Sequence, residues 1–239
     1  MRKYTWIAFG LSVVLSSCHF FGKRVSGNGN IKTEERSVSA FKNVEAAGAV
    51  KLYVSQGDLK PVRIETDENL LPYIEVIQDG DQITIRNKEH VNLNPTHDIK
   101  IYVTSPLYNK IEVSGASDII GQGKITNSEN LELNASGAGN IDMEVDAPKI
   151  SAEITGSGTM NIKGQTKDAD LNLTGAADAH CFDLMSENMK VDISGAGSAE
   201  VFASVKLDAD VSGAGSVKYK GNAAVNQHIS GAGSVQKEN

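Results

Sequence analysis

Four carboxylates recur at a regular spacing in the second half of the chain: Glu112, Glu153, Asp192 and Asp210. They occupy one position of a repeated strand motif, and Asn134 and Asn172 occupy it in the intervening copies. Oxygen ligands on neighbouring strands could bind calcium or a sugar. The pattern also fits a solvated face, on which asparagines relieve like-charge repulsion and form amide ladders. The four acidic residues are therefore weak candidates for ligand binding.

The remaining reactive side chains show no catalytic or metal-binding pattern. The histidines lack the close His or Cys spacing of zinc sites; they are His19, His90, His97, His180 and His228. Cys181 falls at an apolar position, which predicts a buried structural thiol. Ser or Thr opens every copy of the motif, whereas a catalytic serine would be singular and paired with a base. We therefore expect no enzyme activity, no cofactor and no metal.

The first 18 residues predict an export signal and a lipid attachment site. Arg2 and Lys3 precede an apolar run of about ten residues, shorter than the roughly 20 that a spanning helix needs. The run ends in Leu-Ser-Ser-Cys at residues 15–18, which resembles the lipobox of bacterial lipoproteins. We expect a signal peptide at residues 1–17 and a lipid on Cys18. The alternative is an ordinary signal peptide that happens to precede a cysteine.

Charge and cysteine content restrict the partners. The chain has 23 basic and 30 acidic residues, and removal of Arg2 and Lys3 leaves a more acidic mature protein. Such a surface repels phosphate backbones, so nucleic acid is not an expected partner. The membrane is expected to be reached through the N-terminal lipid and not through a basic patch. If Cys18 is acylated, Cys181 has no partner for an intramolecular disulfide.

A short motif that begins Ser/Thr-Gly recurs seven times in the second half of the chain. Its glycines lie 18 to 22 residues apart, at Gly115, Gly137, Gly156, Gly175, Gly195, Gly213 and Gly231. The residues before each copy alternate between apolar and polar, as in a half-buried strand. A glycine in every copy indicates a corner that needs positive φ or a close backbone approach. The second small position, Ser117 or Ala177 in two copies, requires only small size.

One repeat cannot bury its own apolar face, whereas stacked repeats can share a core. The repetition predicts an all-β fold, a parallel β-solenoid (β-helix), across residues 111–239. A β-sandwich is the alternative, and it would repeat less regularly. Residues 31–110 are expected to form longer strands that cap and begin the solenoid, with a degenerate copy at residues 44–52 and a hairpin at Asp79-Gly80.

The two ends of the mature chain receive separate predictions. Residues 18–30 contain three glycines and little periodicity, which predicts a tether between the lipid and the domain. In the last copy, Gln227 and Lys237 replace the apolar residues of the inward positions. Polar residues there predict a capping coil at residues 225–239, on which no further coil stacks.

Three sequence features resemble one known family. They are Gly-Asn-Gly-Asn at residues 27–30, Phe-Lys-Asn-Val-Glu-Ala-Ala-Gly at residues 41–48, and the tandem Ser-Gly-Ala-Gly-Ser-Val units. The family is the auto-transporter adhesin head GIN domain family of Bacteroidetes-type lipoproteins, and the resemblance covers about residues 26–239. It implies a right-handed β-solenoid and supplies no catalytic residues. The biochemical role of the family is unassigned.

These observations favour a non-enzymatic cell-envelope lipoprotein, an adhesin-like binding or structural module. Its expected ligand is a glycan or an envelope protein. A polysaccharide-active enzyme on the same scaffold is the rival hypothesis, and it requires a deep groove with converging Asp, Lys or Arg. His19 follows Cys18 without an acidic run, which favours the periplasmic face of the outer membrane over the cell surface.

Overall fold

Stacked β-strands form most of residues 22–238, the part of the chain that the computed structural model describes. Within those residues the single helical element is a 3-10 turn at Leu71–Tyr73, and no helix has the length and apolar composition needed to cross a bilayer. The strands are β1 (Lys23–Ser26), β2 (Ile31–Arg36), β3 (Asn43–Gly48), β4 (Val50–Gln56), β5 (Val62–Asp67), β6 (Ile74–Asp79), β7 (Gln82–Asn87), β8 (Val91–Asn94), β9 (Ile99–Ser105), β10 (Lys110–Gly115), β11 (Asp118–Thr126), β12 (Asn130–Gly137), β13 (Ile141–Cys181), β14 (Leu184–Gly195), β15 (Ser198–Phe202), β16 (Lys206–Gly213), β17 (Ser216–Lys220), β18 (Ala224–Gly231) and β19 (Ser234–Lys237).

Each copy of the motif forms a strand, a corner and a second strand, and equivalent strands of successive copies pair in parallel. Before the corner the order is β10, β12, β13, β14, β16 and β18. After the corner it is β11, β13, β15, β17 and β19. The 41-residue β13 keeps its strand pairing through two corners, at Gly156 and Gly175. The predicted parallel β-solenoid is confirmed.

The core consists of columns of apolar side chains that run from coil to coil. One column before the corner is at most 4% exposed, and its members are Ile111, Leu133, Ala152, Leu171, Val191 and Ala209. Burying one Leu or Ile side chain stabilises a fold by about 1.5–3 kcal/mol. Because each coil packs only against its neighbours in the stack, no coil has a core of its own.

The corner glycines meet both requirements that the sequence suggested. Gly195 has a φ of +130°, and a Cβ there would lie 2.2 Å from the carbonyl oxygen of Gly175. That oxygen accepts a hydrogen bond of 2.8 Å from the backbone N–H of Ala196. The carbonyl is therefore directed at the next coil, where a side chain would otherwise stand. The second small position, exemplified by Gly197, has no positive φ, as its replacement by Ser117 and Ala177 indicated.

The first coils are not stacked in the order of the sequence. The predicted degenerate copy at residues 44–52 is confirmed, because β3 aligns Gly48 with Gly115 of β10. However, β3 also pairs with β7, and β4 pairs with both β9 and β11. The coil formed by β3 and β4 is thus inserted between strands whose paired residues lie 39 to 67 positions later in the sequence.

Antiparallel strands close the N-terminal end of the stack. The predicted hairpin is confirmed, since β6 and β7 pair across a turn in which Gly80 has a φ of +55°. On the other side of the coil, β5 pairs antiparallel with β9 and with β2. The outermost strands at this end are therefore β6 and β2.

The structure corrects the second half of the predicted tether, residues 18–30. β1 pairs in parallel with β8, so the chain is already part of the fold at Lys23. Residues 18–21 lie outside the described part of the chain. The following turn surrounds Asp67, whose carboxylate leaves no room for a side chain at Gly27, because a Cβ there would lie 2.3 Å from it. Gly27 thus permits close packing against the domain, whereas Gly29 provides a positive φ of +81° in the turn.

Asp67 holds this N-terminal segment through a network of hydrogen bonds. The side chain is buried and accepts bonds from the backbone N–H groups of Gly29 (2.7 Å) and Thr96 (2.9 Å) and from the Thr96 hydroxyl (2.7 Å). Burial raises the pKa of Asp67, but the hydrogen bonds from Thr96 and Gly29 outweigh it, and the net effect lowers the pKa. The carboxylate therefore contributes stability above the unfolded-state pKa of about 3.9, and this contribution is lost as the pH falls through the lower folded-state pKa.

The C-terminal coil ends the stack, as the capping prediction requires. All eight residues of β18 are exposed, including Gln227 at the inward position. However, Val225 and Ile229 flank Gln227 at inward positions and are each 37% exposed. The last coil thus covers the coil before it, while Val225 and Ile229 of the last coil remain partly exposed to solvent.

From the geometry of the corner we expect two glycine substitutions to differ strongly in their effect on the free energy of unfolding. Gly195→Ala should lower the free energy of unfolding by about 3 kcal/mol or more, because it combines a disfavoured φ with a backbone clash. Gly123 also has a positive φ, +99°, but a Cβ added there would have nothing within 4 Å. Gly123→Ala should therefore show only the dihedral cost of about 1–2 kcal/mol. Urea denaturation measures both, and equal losses would contradict the role assigned to the corner.

A second prediction concerns Asp67. Asp67→Asn should lower the free energy of unfolding by about 1–3 kcal/mol at neutral pH, because an amide NH₂ replaces an oxygen that accepts from a backbone N–H. Asp58→Asn is the control, since Asp58 is exposed and has no hydrogen bond within residues 22–238. Denaturation across a pH series should show the difference from wild type shrinking as Asp67 becomes protonated. A difference that stays constant down to about pH 2 would refute this assignment.

Candidate functional site

The four candidate carboxylates share one outward-facing column on the face formed before the corner. Parallel pairing places Glu112 beside Asn134 and Asn134 beside Glu153. Further along, it places Asn172 beside Asp192 and Asp192 beside Asp210. We call this set of six residues, 112, 134, 153, 172, 192 and 210, the carboxylate ladder. Its members follow one another at the strand spacing of about 4.8 Å.

The carboxylate ladder continues beyond the residues predicted from the sequence. Glu45 of β3 lies beside Glu112, and Thr84 of β7 lies beside Glu45. At the other end His228 of β18 lies beside Asp210. Glu45 could have been found by aligning Gly48 with Gly115. Thr84 could not, because β7 carries no copy of the motif.

Lysines on the same strands pair with two of these acids. Lys110 forms an ion pair with Glu112 at 2.5 Å, and Lys190 forms one with Asp192. Hydrogen bonds to these carboxylates raise the pKa values of Lys110 and Lys190. Such exposed pairs contribute little to stability, about 0–1 kcal/mol each. They do place donors and acceptors side by side, an arrangement that the Lys-x-Glu and Lys-x-Asp spacing could have revealed.

The C-terminal end of the ladder borders a shallow depression of about 340 Å³. Its lining includes Lys190, Asp192, Asp208, Asp210 and His228. Lys206 pairs with Asp208 at 2.5 Å, and this hydrogen bond lowers the pKa of Asp208. Nowhere in residues 22–238 do three His, Cys, Asp or Glu side chains approach so that they could hold a metal ion. The depression is polar and open, and it gives no support to the deep groove that the enzyme hypothesis requires.

The other residues singled out in the sequence have structural positions. Cys181 is fully buried, and burial raises the pKa of its thiol to about 12, so the predicted structural thiol is confirmed. His180 lies on the face formed after the corner, with its Nδ1 2.9 Å from Glu200. It is thus on a different column from His228, as predicted. Cys18, the predicted lipid attachment site, lies outside the described residues.

Sequence reasoning missed an aromatic stack near the N-terminal end. The Tyr53 and Tyr102 rings are stacked with centroids 4.8 Å apart, and the guanidinium of Arg63 lies 3.6 Å from the Tyr102 centroid. No local signal could reveal it, since Arg63 comes from β5, whose antiparallel pairing with β9 is non-local. Both faces of Tyr102 are covered, so its ring is not free to stack on a sugar. The stack stabilises the antiparallel end of the fold.

Comparison with known proteins assigns the family. Residues 40–223 match the model of the family described as "Putative auto-transporter adhesin, head GIN domain". The chain belongs to the head GIN domain family. The match includes all six residues of the carboxylate ladder, and it ends just before β18. Family membership of this GIN-domain protein indicates a cell-envelope or surface protein.

Solved structures share the GIN-domain fold along nearly the whole chain. A protein from Bacteroides fragilis described as a putative adhesin is 23% identical, with a TM-score of 0.85, and the match covers 90% of this chain and 100% of that one. A putative adhesin from Parabacteroides merdae is 25% identical, with a TM-score of 0.72 and 90% and 99% coverage. A protein from Parabacteroides distasonis described as a putative lipid binding protein is 23% identical, with a TM-score of 0.71 and 91% and 100% coverage. No curated protein matches the chain.

Proposed function

We propose that this protein is a non-enzymatic, adhesin-like module of the outer membrane, anchored by a lipid on Cys18 and facing the periplasm. It binds a glycan or an envelope protein through the carboxylate ladder. The observation that carries the proposal is the unbroken column of acceptor side chains, held in register by the parallel pairing of β10, β12, β13, β14 and β16. The names of the family and of two structural neighbours, which mention adhesins, support the same reading.

The chemistry of the ladder suits an extended ligand with repeated hydrogen-bonding groups. Carboxylate and amide oxygens accept hydrogen bonds from sugar hydroxyls or from basic side chains. Lys110 and Lys190, which pair with Glu112 and Asp192, add donors beside them. Because the acceptors repeat at about 4.8 Å along the solenoid, a polymer laid along this face meets similar groups at every coil.

The charge distribution restricts the class of ligand further. Residues 111–239 contain 18 acidic and 9 basic residues, whereas residues 22–110 contain 12 of each. The net negative charge therefore resides in the repetitive solenoid. An anionic polysaccharide would be repelled from it. A neutral glycan or a basic protein segment is the favoured ligand.

The fold supports an arrangement in which the proposed binding face points away from the proposed anchor. Lys23 enters beside β8, at the end closed by β2 and β6. The last strands, β18 and β19, lie at the opposite end of the stack. A lipid on Cys18 would thus hold the neutral end at the membrane, and the acidic solenoid would project away from anionic headgroups.

A binding screen tests the ladder directly. Soluble protein lacking residues 1–18 is screened against glycans and envelope fractions, and the hit is then titrated. A variant with Glu112→Gln, Glu153→Gln, Asp192→Asn and Asp210→Asn should bind at least about tenfold more weakly, a loss of about 1.4 kcal/mol. The control changes four carboxylates outside the ladder to amides: Asp142, Glu144, Asp183 and Glu200. Equal affinities for the two variants would disprove binding through the ladder.

The anchor has its own test. Cys18→Ala in the full precursor should abolish metabolic labelling with fatty acid and release the protein from the membrane fraction, because no acyl chain can be attached. Cys181→Ala is the matched control, since the buried thiol is not available for acylation. If Cys18→Ala remained in the membrane fraction with undiminished labelling, the lipobox interpretation would be wrong.

A further inference from the structure

The last strand before the corner, β18, is an unprotected sheet edge. One side of β18 pairs with β16, and no described strand pairs with its other side. Its sequence, Ala-Val-Asn-Gln-His-Ile-Ser-Gly, contains no Lys, Arg, Asp, Glu or Pro. Edge strands that remain unpaired usually carry charges or proline that prevent association. The edge at Ala224–Gly231 is thus chemically open to another strand.

The opposite end of the stack does have such protection. β2 includes Lys32, Glu34, Glu35 and Arg36, and β6 includes Glu75 and Asp79. The final strand, β19, places Lys237 at its inward position, where its Nζ lies 3.3 Å from Asn222 Oδ1. Uncharged β18 is therefore unlike these other outer strands of the solenoid. Head-to-tail stacking of β18 on a charged N-terminal edge is disfavoured, and with it the growth of an open filament.

The backbone of β18 defines which groups are free. The backbone N–H of Ala224 donates to the Val205 carbonyl, and that of Ala232 donates to the Gly213 carbonyl. The backbone N–H and C=O groups of the even-numbered residues are therefore directed at the preceding coil. Peptide groups alternate in direction along a strand. Val225, Gln227 and Ile229 consequently direct their backbone N–H and C=O groups away from the stack. The same three residues carry the inward side chains of this coil.

The sequence around Gln227 is self-complementary for antiparallel pairing. When two copies of β18 pair antiparallel with Gln227 at the centre, Val225 lies opposite Ile229 of the partner subunit, and Ile229 lies opposite the partner's Val225. Gln227 lies opposite the partner's Gln227, where two amide side chains can bond to each other. In this register, residues with inward side chains lie opposite one another, and the hydrogen bonds between the two strands use the unpaired backbone N–H and C=O groups of Val225, Gln227 and Ile229. A shift by one residue would place apolar side chains opposite outward polar ones.

We propose that β18 is the contact of a two-fold symmetric, tail-to-tail dimer of this protein. The two strands form a continuous antiparallel junction, and the paired glutamines fix its register as a buried polar residue does in other symmetric assemblies. The exposed Val225 and Ile229 side chains are covered by the second copy. The dimer is independent of the carboxylate ladder, so it can fail while ligand binding through the ladder stands.

Sedimentation of the chain from His19 onward, which contains the whole described fold, tests the dimer. Concentrations from about 1 µM to about 1 mM cover dissociation constants of weak interfaces, and the mass should rise to twice that of the monomer and stop. Gln227→Lys places two like charges at the symmetry axis and should raise the dissociation constant at least tenfold. Gln165→Lys is the control, because Gln165 pairs with Asp146 on another coil. A monomer at every concentration, or growth beyond a dimer, would overturn the proposal.

Disulfide trapping tests the register separately. Cα atoms of a hydrogen-bonded antiparallel pair are about 5.5 Å apart, within the range of about 4.4–6.8 Å that a disulfide spans. Gln227→Cys should therefore form a covalent dimer under mild oxidation. Ser230→Cys should not, since six residues of offset separate the two thiols by about 20 Å. Cross-linking of Ser230→Cys at the same rate as Gln227→Cys would refute this register.

Discussion

The hydrogen bond at the corner, which a backbone N–H of one coil donates to a glycine carbonyl of the coil before it, is the constraint on which the rest of the structure depends. At Gly175 the carbonyl oxygen points along the stack and accepts from Ala196 N–H at 2.8 Å. It occupies the space that a Cβ of Gly195 would need. At every corner glycine from Gly115 to Gly231, an added Cβ would lie 2.1–2.3 Å from the glycine carbonyl oxygen of the preceding corner. Because the corners superpose, the strands on both sides keep one register, and inward and outward columns stay continuous.

A fixed register converts a local repeat into an extended surface. A side chain at one repeat position becomes a column along the solenoid, as the buried Ile111 column and the carboxylate ladder both show. The arrangement suits recognition along a face more than chemistry at a point, because a repeat supplies many similar groups and few unlike ones. The converging set that catalysis needs would have to break the repeat. Cys181 follows the repeat and is buried in the core.

The repetitive half of the fold could be predicted from the sequence because its determinants are local. The period of the glycines indicated the coils, and the alternation around Val113 or Ile193 indicated the buried positions. The N-terminal half was predictable only in parts, such as the hairpin at Gly80 and the copy at residues 44–52. The insertion of β3 and β4, the hydrogen bonds of Asp67 and the stacking of Arg63 on Tyr102 all join segments far apart in the sequence. No periodic signal records such contacts. The members of the ladder were predictable, whereas their lysine partners were overlooked.

The insertion of the β3–β4 coil has a mechanical consequence. Tension along the solenoid loads the hydrogen bonds between coils, and the last coil can peel away without disturbing the others, releasing about 20 residues or roughly 65 Å of extended chain. Successive coils can follow one at a time, back to β10. There the process stops, because β3 and β4 are held on both sides by strands that come later in the sequence. A molecule under tension therefore lengthens stepwise from its C-terminal end, while the coils nearest Lys23 stay folded.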